Sequence, residues 1–358
     1  MLNKKKHGHG VYTWASGDQY DGEWKEDVRT GYGVHKWPSG DVFKGNWVAG
    51  KMEGKGVKTY ADGSSYDGDW QNDSFHGQGV RKWADGNQYN GHWENGKRTG
   101  RGVFTSASGH QYDGEWKEGV QTGYGVYKWR NGDVFKGNWV AGKMEGKGVK
   151  TDADGSSYDG DWQNDSFHGQ GVRKSADGNE YKGSWQNSKK DGRGVFTWAS
   201  GHQYDGEWKE DVRTGYGVYK WPSGDVFKGN WVAGKMEGKG IKTYADGGSY
   251  DGDWQNNYVH GYGLRKWANG SEYNGDWMSG ERHGRGTHTS AEGKFTGEWV
   301  KGQQVGHGVY TYKTGGYFDG TWAGGKRHGT GHWHKADGTI MVQVWEEGRL
   351  VSAVTLMK

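Results

Sequence analysis

The sequence has no cysteine, only 2 prolines among its 358 residues, and no long apolar run. The absence of cysteine excludes disulfides, thiolate metal sites and thiol nucleophiles. The longest apolar stretch, residues 350–357, is far below the ~20 residues that a transmembrane helix needs. The first residues are charged but no apolar segment follows them, so we expect no secretory signal.

An excess of charge of one sign is also missing, since 47 basic residues stand against 44 acidic ones. This balance predicts no nucleic-acid partner. What is abundant is glycine, with 71 residues, together with 23 Trp and 22 Tyr. Much glycine at low hydrophobicity is typical of disorder, but disordered chains are poor in aromatic residues. We therefore expect a folded chain whose core is mostly aromatic.

The aromatic residues and glycines belong to one repeated motif, aromatic-x-Gly-x-Trp, which recurs every 23 residues. A Gly-x-Gly pair follows most copies. One copy comes a residue early, and a degenerate copy begins at Met341. The copies begin at Tyr20, Phe43, Tyr66, Tyr89, Tyr112, Phe135, Tyr158, Tyr181, Tyr204, Phe227, Tyr250, Tyr273, the early Phe295, and Phe318.

A longer period of four copies is superimposed on the short one. Residues 15–73 recur almost unchanged at 107–165 and again from 199, and we call the segments that start at Ala15, Ala107 and Ala199 the first, second and third blocks. Such duplication does not suggest a single evolved active centre. We expect one continuous array over residues 1–346, with a partial copy at 1–19 and a degenerate last copy from 341. Residues 347–358 would form a C-terminal capping or dimerisation tail.

Each copy has the alternation of a β-hairpin. Tyr20, Gly22 and Trp24 alternate with acidic residues, which is the period of a strand, and residues 31–37 alternate in the same way. Residues 25–30 would join the two strands. Because a strand glycine leaves a gap on one face, a ring from a neighbouring hairpin can lie across it. The aromatic residues expected to pack in this way include Tyr20, Trp24, Phe43, Trp47, Tyr66, Trp70, Tyr273 and Trp277.

Hairpins that pair edge to edge predict an all-β fold. We expect an elongated, single-layer antiparallel array of about 14 or 15 hairpins that twists into a rod, roughly 140 Å long at ~4.8 Å per strand.

This pattern closely resembles the MORN repeat (membrane occupation and recognition nexus). The copy that begins at Tyr273 fits the family motif at every point, with Tyr273, Gly275, Trp277, Gly280, His283, Gly284, Gly286 and Gly293. Other copies depart from it, since Thr30, Glu53 and Asp191 replace the histidine. The resemblance implies an elongated, twisted hairpin array that organises membrane–cytoskeleton or ciliary structures and contacts phosphoinositide lipids. The kinase or methyltransferase domain that often accompanies the array in relatives is missing here, so we expect no enzyme.

Three kinds of chemical site were weighed against simpler explanations. Two close histidine pairs, His7-x-His9 and His332-x-His334, have no obvious third ligand for a metal. The Gly-x-Gly pairs lack the third glycine and the helix of a dinucleotide fingerprint. Carboxylate pairs such as Asp21/Glu23 lie on an open sheet face, where cross-strand partners such as Lys36 explain them. We therefore expect no catalytic residue, no metal and no cofactor.

Basic residues recur with the longer period and are the candidates for binding lipid or a partner. They are Lys58, Arg81, Lys82, Lys150, Arg173, Lys174, Lys242, Arg265 and Lys266. Period two places Arg81 on the face of Trp83 and Lys82 on the opposite face. Such residues can form a cation–π contact with a ring, meet an anionic headgroup, or pair with Asp and Glu across strands.

The two ends of the array expose strand edges that favour further pairing. Residues 9–14 have no upstream partner strand, and residues 348–356 are apolar and depart from the repeat. Self-association through either end is therefore one expectation. The most favoured function is a non-enzymatic scaffold that tethers or spaces protein partners at a cytoskeletal, ciliary or membrane-associated structure in the cytoplasm. The alternative is a peripheral module that binds phosphoinositides or other anionic phospholipids.

Overall fold

The structure is a computed structural model that describes residues 5–357. Every element within these residues is a β-strand, which confirms the predicted all-β class. Residues 1–4 of the expected partial copy and Lys358 of the expected tail lie outside the described residues.

The strands follow one another in chain order with short connections. They are β1 (Gly8–Thr13), β2 (Gln19–Lys25), β3 (Val28–Lys36), β4 (Val42–Val48), β5 (Lys51–Thr59), β6 (Ser65–Gln71), β7 (Ser74–Lys82), β8 (Gln88–Glu94), β9 (Lys97–Thr105), β10 (Gln111–Lys117), β11 (Val120–Lys128), β12 (Val134–Val140), β13 (Lys143–Thr151), β14 (Ser157–Gln163), β15 (Ser166–Lys174), β16 (Glu180–Gln186), β17 (Lys189–Thr197), β18 (Gln203–Lys209), β19 (Val212–Lys220), β20 (Val226–Val232), β21 (Lys235–Thr243), β22 (Ser249–Gln255), β23 (Tyr258–Lys266), β24 (Glu272–Met278), β25 (Glu281–Thr289), β26 (Gly293–Val300), β27 (Gln303–Tyr312), β28 (Tyr317–Ala323), β29 (Lys326–His334), β30 (Ile340–Glu346) and β31 (Arg349–Met357).

The chain divides into two compact units, one comprising residues up to 176 with 186–188, the other residues 177–185 with those from 189 onward. In the first unit, each strand from β1 to β14 pairs antiparallel with the next strand in the chain. In the second unit, each strand from β17 to β30 pairs in the same way with the next one. The predicted antiparallel hairpin array is thus present in each unit.

The hairpin connections are shorter than the sequence analysis predicted. In the first complete hairpin, β2 and β3 are joined by Glu26 and Asp27 alone, whose φ angles are 52° and 70°. Two left-handed residues in a two-residue loop match the right-handed twist of the flanking strands. The predicted joint at residues 25–30 is therefore too long at both ends, because Lys25 belongs to the first strand and Val28 to Thr30 belong to the second.

The glycine pairs lie directly under an aromatic ring, but the ring comes from the same hairpin. Gly68 and Gly79 are opposite each other on β6 and β7. A Cβ added to Gly68 would lie 2.5 Å from the Cα of Gly79 and 2.7 Å from the Oη of Tyr66. The expectation that the ring comes from a neighbouring hairpin is thus wrong for the tyrosine, because Tyr66 and both glycines belong to the hairpin β6–β7. It holds for the tryptophan, since Trp70 lies 3.3 Å from a Cβ built on Gly56 of the preceding hairpin.

The rings of successive hairpins form a continuous core along one face of the sheet in each unit. Tyr20 is fully buried and Trp24 and Trp47 are nearly so. Tyr20 meets both indoles edge-on, with ring centroids 5.1 Å from Trp24 and 5.5 Å from Trp47. Edge-to-face packing of this kind contributes about 0.5–1.5 kcal/mol beyond the buried area. The acidic residues between these rings face solvent, as period two requires.

The apolar C-terminal segment is the second strand of the last hairpin. β31 pairs with β30 through Val344–Ser352 and Trp345–Leu350, so this hairpin is complete although it lacks Gly-x-Gly. Every residue of β31 is exposed, and Val354 keeps 62% of its surface.

Candidate partner-binding face

The two faces of each unit differ in chemistry. We call the face that bears the motif rings the ring face, and the other the charged face. On the charged face Asp69 pairs with Lys55 across the strands, with Nζ and Oδ1 2.7 Å apart. Lys36, which was the example of a cross-strand partner for the carboxylates, is opposite Gln19 and Val42 and not opposite an acidic residue.

Lys58 lies between two rings on the ring face. Its Nζ is 4.5 Å from the ring centroid of Trp37 and 4.8 Å from that of Tyr60. The carboxylate of Asp41 is 3.9 Å away, and only 17% of the lysine side chain is exposed. Burial lowers the pKa of Lys58, and Asp41 opposes that shift. This lysine is a recessed cation within an aromatic pocket.

Arg81 joins Lys58 from the next hairpin at the same tyrosine ring. The guanidinium carbon is 4.2 Å from the ring centroid of Tyr60, and Nη2 donates to Ser64 Oγ at 3.2 Å. The other terminal nitrogen, Nη1, is buried and has no hydrogen-bond partner within residues 5–357. One donor of this arginine is therefore left unused.

The second block changes this arrangement at the tyrosine, and it also has Ser175 where the first block has Trp83. Asp152 stands where the first block has Tyr60. Its Oδ1 accepts from Lys150 Nζ at 2.6 Å, and its Oδ2 accepts from Arg173 Nη2 at 3.0 Å. Asp133 also lies 3.6 Å from Lys150. Both cations of this block are neutralised within the chain.

The third block restores the tyrosine. Lys242 Nζ is 4.7 Å from the ring centroid of Tyr244, and the guanidinium carbon of Arg265 is 3.6 Å from the same centroid. Asp225 accepts from Lys242 at 3.2 Å. As in the first block, Nη1 of Arg265 is buried without a hydrogen-bond partner in the described part of the chain.

The structure thus separates the predicted basic clusters into two sets. Within each block it brings a lysine and an arginine together on the ring face. It leaves the adjacent lysines exposed on the charged face, away from these pairs; they are Lys82, Lys174 and Lys266.

A second set of arginines on the ring face was not singled out from the sequence. Arg98 lies over the next hairpin, with its guanidinium carbon 4.2 Å from the ring centroid of Trp116. Its Nη2 donates to the carbonyl of Gly119 at 2.7 Å, 21 residues later. Arg29, Arg213 and Arg282 make the equivalent bonds. The sequence contains a pattern that could have identified them, because the residue five places after the motif Trp is an arginine in these copies.

The first block also holds a buried histidine that connects these features. Arg29 Nη1 donates to His35 Nδ1 at 2.8 Å, so the proton of the neutral ring is on Nε2, which faces Asp18 Oδ1 at 3.2 Å. Burial lowers the pKa of His35, and Arg29 adds to that effect. A cleft of about 520 Å³ opens here between Trp14 and Trp37.

Residues 5–357 contain neither a metal-binding cluster nor a membrane-spanning helix. No three His, Cys, Asp or Glu side chains within these residues come together as a metal site would require. None of the described elements is a helix that could cross a membrane.

Comparison with protein families decides the relationship. The family model described as MORN repeat matches 15 consecutive segments over residues 2–340, with boundaries at Tyr20, Phe43 and each later motif aromatic up to Phe318. The chain belongs to the MORN repeat family. MORN repeats are generally protein- or lipid-interaction modules without enzymatic activity, and they are often membrane-associated. The degenerate copy from Met341 lies beyond the matched segments, although it forms the hairpin β30–β31.

Other comparisons add no functional information. No curated protein matches the chain. Among solved structures, the TCP domain of SAS-4 from Drosophila melanogaster, solved with a proline-rich motif of Ana2, is 9% identical with a TM-score of 0.26, covering 55% of this chain and 86% of that one. Virginiamycin B lyase from Staphylococcus aureus is 11% identical with a TM-score of 0.13, covering 80% and 92%. Similarities this weak carry no argument about this MORN protein.

Proposed function

We propose that this MORN protein is a non-enzymatic scaffold that tethers or spaces protein partners at a cytoskeletal, ciliary or membrane-associated structure. The observation that carries the proposal is the clamp between successive hairpins. The indole nitrogen of a motif Trp donates to the carbonyl of the second glycine in the preceding Gly-x-Gly, as for Trp70 and Gly56 at 3.0 Å and for Trp254 and Gly240 at 3.0 Å. A chain in which this clamp recurs between hairpins presents its side chains at regular intervals, which suits a spacer.

The charged face supplies variable side chains for contacts. The middle residue of Gly-x-Gly is exposed and changes from copy to copy, with Tyr32, Lys55, Gln78 and Arg101 in the first block. Tyr32 keeps 58% of its surface and Tyr124, its counterpart in the second block, keeps 50%. Exposed tyrosines are enriched where proteins bind one another, because they add contact area at little entropic cost.

Affinity purification of the tagged full chain from a lysate, followed by mass spectrometry, tests the proposal. We expect cytoskeletal or membrane-associated proteins to be retained, and to be lost when Tyr32, Tyr124, Tyr216 and Tyr262 are changed together to Ser. The control variant is Tyr66→Phe, which removes only the hydroxyl group of a tyrosine buried on the ring face. If the tyrosine-to-serine variant recovers the same proteins at the same yield, the charged face is not the contact surface. If the wild-type chain retains no such protein, the scaffold proposal fails.

The second candidate is a peripheral module for anionic phospholipids. It is supported by the basic residues on both faces, since clustered Lys and Arg at an anionic leaflet contribute about 1 kcal/mol each. Against it, the ring-face cations are recessed and partly paired with Asp.

Pelleting with phosphatidylcholine vesicles, with and without phosphatidylinositol bisphosphate, tests whether the protein binds anionic lipid. Salt-sensitive binding that is lost in the combined Arg81→Ala, Arg173→Ala and Arg265→Ala variant supports this candidate. Absence of binding at physiological salt removes it.

A further inference from the structure

One ring-face position beside each lysine–arginine pair differs among the blocks, and this difference identifies a pair of binding sites. At that position the first and third blocks have Tyr60 and Tyr244, and the second block has Asp152. Two neighbouring positions differ as well: Ser175 of the second block replaces Trp83 and Trp267, and Gly248 of the third block replaces Ser64 and Ser156. A strand-end carboxylate from Asp41, Asp133 or Asp225 approaches the lysine in every block. Two positions after the variable residue, every block also has an aspartate, which is Asp62, Asp154 or Asp246. The second block therefore has one carboxylate more than the other two.

The extra carboxylate shows what the cations can bind. Asp152 bridges them, with one oxygen 2.6 Å from Lys150 Nζ and the other 3.0 Å from Arg173 Nη2. Charge-assisted bonds of this length are the stronger ones in proteins. In the first and third blocks no described carboxylate bridges the lysine and the arginine, although Ser64 accepts from Nη2 of Arg81. Nη1 of Arg81 and of Arg265 is buried without a hydrogen-bond partner among the described residues. A buried donor without a partner is costly, so an incoming acceptor would be favoured.

We propose that the pairs Lys58/Arg81 and Lys242/Arg265 are anion sites that each receive a carboxylate side chain of an acidic peptide on a partner protein. Asp152 occupies the corresponding site of the second block from within the chain. The inference rests on the proposed function, because it specifies the chemistry of the partner.

The depth of the sites favours a peptide over a membrane surface. The side chains of Lys58 and Lys242 are only 17% and 18% exposed, beneath rings that flank them. A side chain that projects from a peptide can enter between such rings, whereas a leaflet meets protruding cations first. Lys55, whose side chain is 73% exposed, is on the charged face and already pairs with Asp69. The tyrosine ring also provides a flat wall against which the arginine is held.

The test uses the full chain and a fluorescein-labelled decaglutamate peptide, with binding followed by fluorescence anisotropy at low and at physiological salt. The decisive variant is Tyr60→Asp combined with Tyr244→Asp, which gives both sites the carboxylate of the second block. We expect affinity to fall about tenfold or more, because the internal carboxylate competes for the same donors. The second block shows that Asp is accommodated at this position, and circular dichroism checks that the variant folds.

Two further variants keep the outcome interpretable. Tyr60→Phe with Tyr244→Phe preserves the ring without adding charge and should bind within about twofold of the wild type. Asp152→Tyr removes the internal carboxylate and should raise the number of peptides bound per chain from two to three. Equal binding by the Asp double variant and the wild type would overturn the proposal, as would an unchanged stoichiometry in Asp152→Tyr.

The remaining outcomes separate this inference from the scaffold proposal. Binding of phosphatidylserine vesicles but not of decaglutamate, with the same dependence on Tyr60→Asp and Tyr244→Asp, would assign the sites to a lipid surface and overturn the peptide. Full recovery of lysate partners by the Asp double variant would leave the scaffold standing and refute these sites as its contacts. If decaglutamate binds with the expected dependence on the variants but the lysate yields no partner protein, the two anion sites stand and the scaffold proposal fails.

Discussion

The indole nitrogen of Trp162 donates a hydrogen bond to the carbonyl oxygen of Gly148, 14 residues earlier, at 3.0 Å. Both groups are buried, and they belong to consecutive hairpins of the first unit. The nearby Trp139 is equally buried, but its indole nitrogen has no hydrogen-bond partner in the described part of the chain. The two tryptophans therefore form a natural comparison between packing with and without the clamp.

Trp162→Phe should destabilise the chain more than Trp139→Phe. Both changes remove the same volume, but only the first leaves a buried carbonyl without its donor, at a cost of about 1–3 kcal/mol. Urea unfolding followed by far-ultraviolet circular dichroism measures the difference. Equal losses for the two variants would show that the indole bond adds nothing to packing.

Gly79→Ala should destabilise the third hairpin of the first block, β6–β7, by about 1–3 kcal/mol. A Cβ on Gly79 would lie 2.5 Å from Cζ of Tyr66, and the ring has no free space to move into because it is fully buried. Gln78→Ala, at the exposed position next to it, is the control and should change stability by less than about 0.5 kcal/mol. Thermal melting of both variants checks this, and a stable Gly79→Ala protein would contradict the packing described here.

Stability should decline as the pH falls below the ordinary histidine pKa of 6.5, in part because of His35. Burial lowers the pKa of His35, so the unfolded chain binds the proton more readily than the folded one. The stabilisation is complete above pH 6.5 and is lost toward the lower folded pKa. His288 is shifted in the same direction by burial and contributes similarly.

His35→Tyr is the matched variant, because Tyr127 and Tyr219 take this position in the other blocks. The melting temperature of the variant should depend less on pH between about 7 and 5 than that of the wild type. Identical pH profiles would show that His35 titrates normally in the folded protein.

The exposed strand β31 should support self-association through its free edge. Residues 350–357 carry no charge, proline or glycine, which is the composition of a strand edge that pairs with another chain. Val354→Lys should shift the protein toward the monomer in sedimentation velocity, since lysine on an edge blocks such pairing. A wild-type protein that is monomeric at all concentrations would contradict self-association and would favour the alternative that β31 caps the array.

The predicted elongation of the array is checked by small-angle X-ray scattering. The sequence predicts a maximum dimension of roughly 140 Å from two strands of ~4.8 Å per copy. A compact scattering profile would remove the physical basis for a spacer.

The sequence allowed most of the repeating unit to be predicted. The alternation of Tyr66, Gly68 and Trp70 with charged residues determined which face is buried, because side chains in a strand point to opposite faces in turn. The 23-residue period determined the number of hairpins. The two-residue loops were misjudged because Glu26 and Asp27 adopt left-handed angles that are uncommon for residues other than glycine.

The tertiary structure alone decided which side chains of different hairpins meet. Register and strand twist bring Arg98 to Gly119 and Trp116, and they place Asp152 between Lys150 and Arg173 rather than toward solvent. Spacing along the chain gives the face of a residue but not the direction of a long side chain, which depends on rotamers and on the neighbours it finds. The sequence by itself therefore determined the hairpin and its buried face, and only the packed structure decided which cations are already paired and which still lack an acceptor.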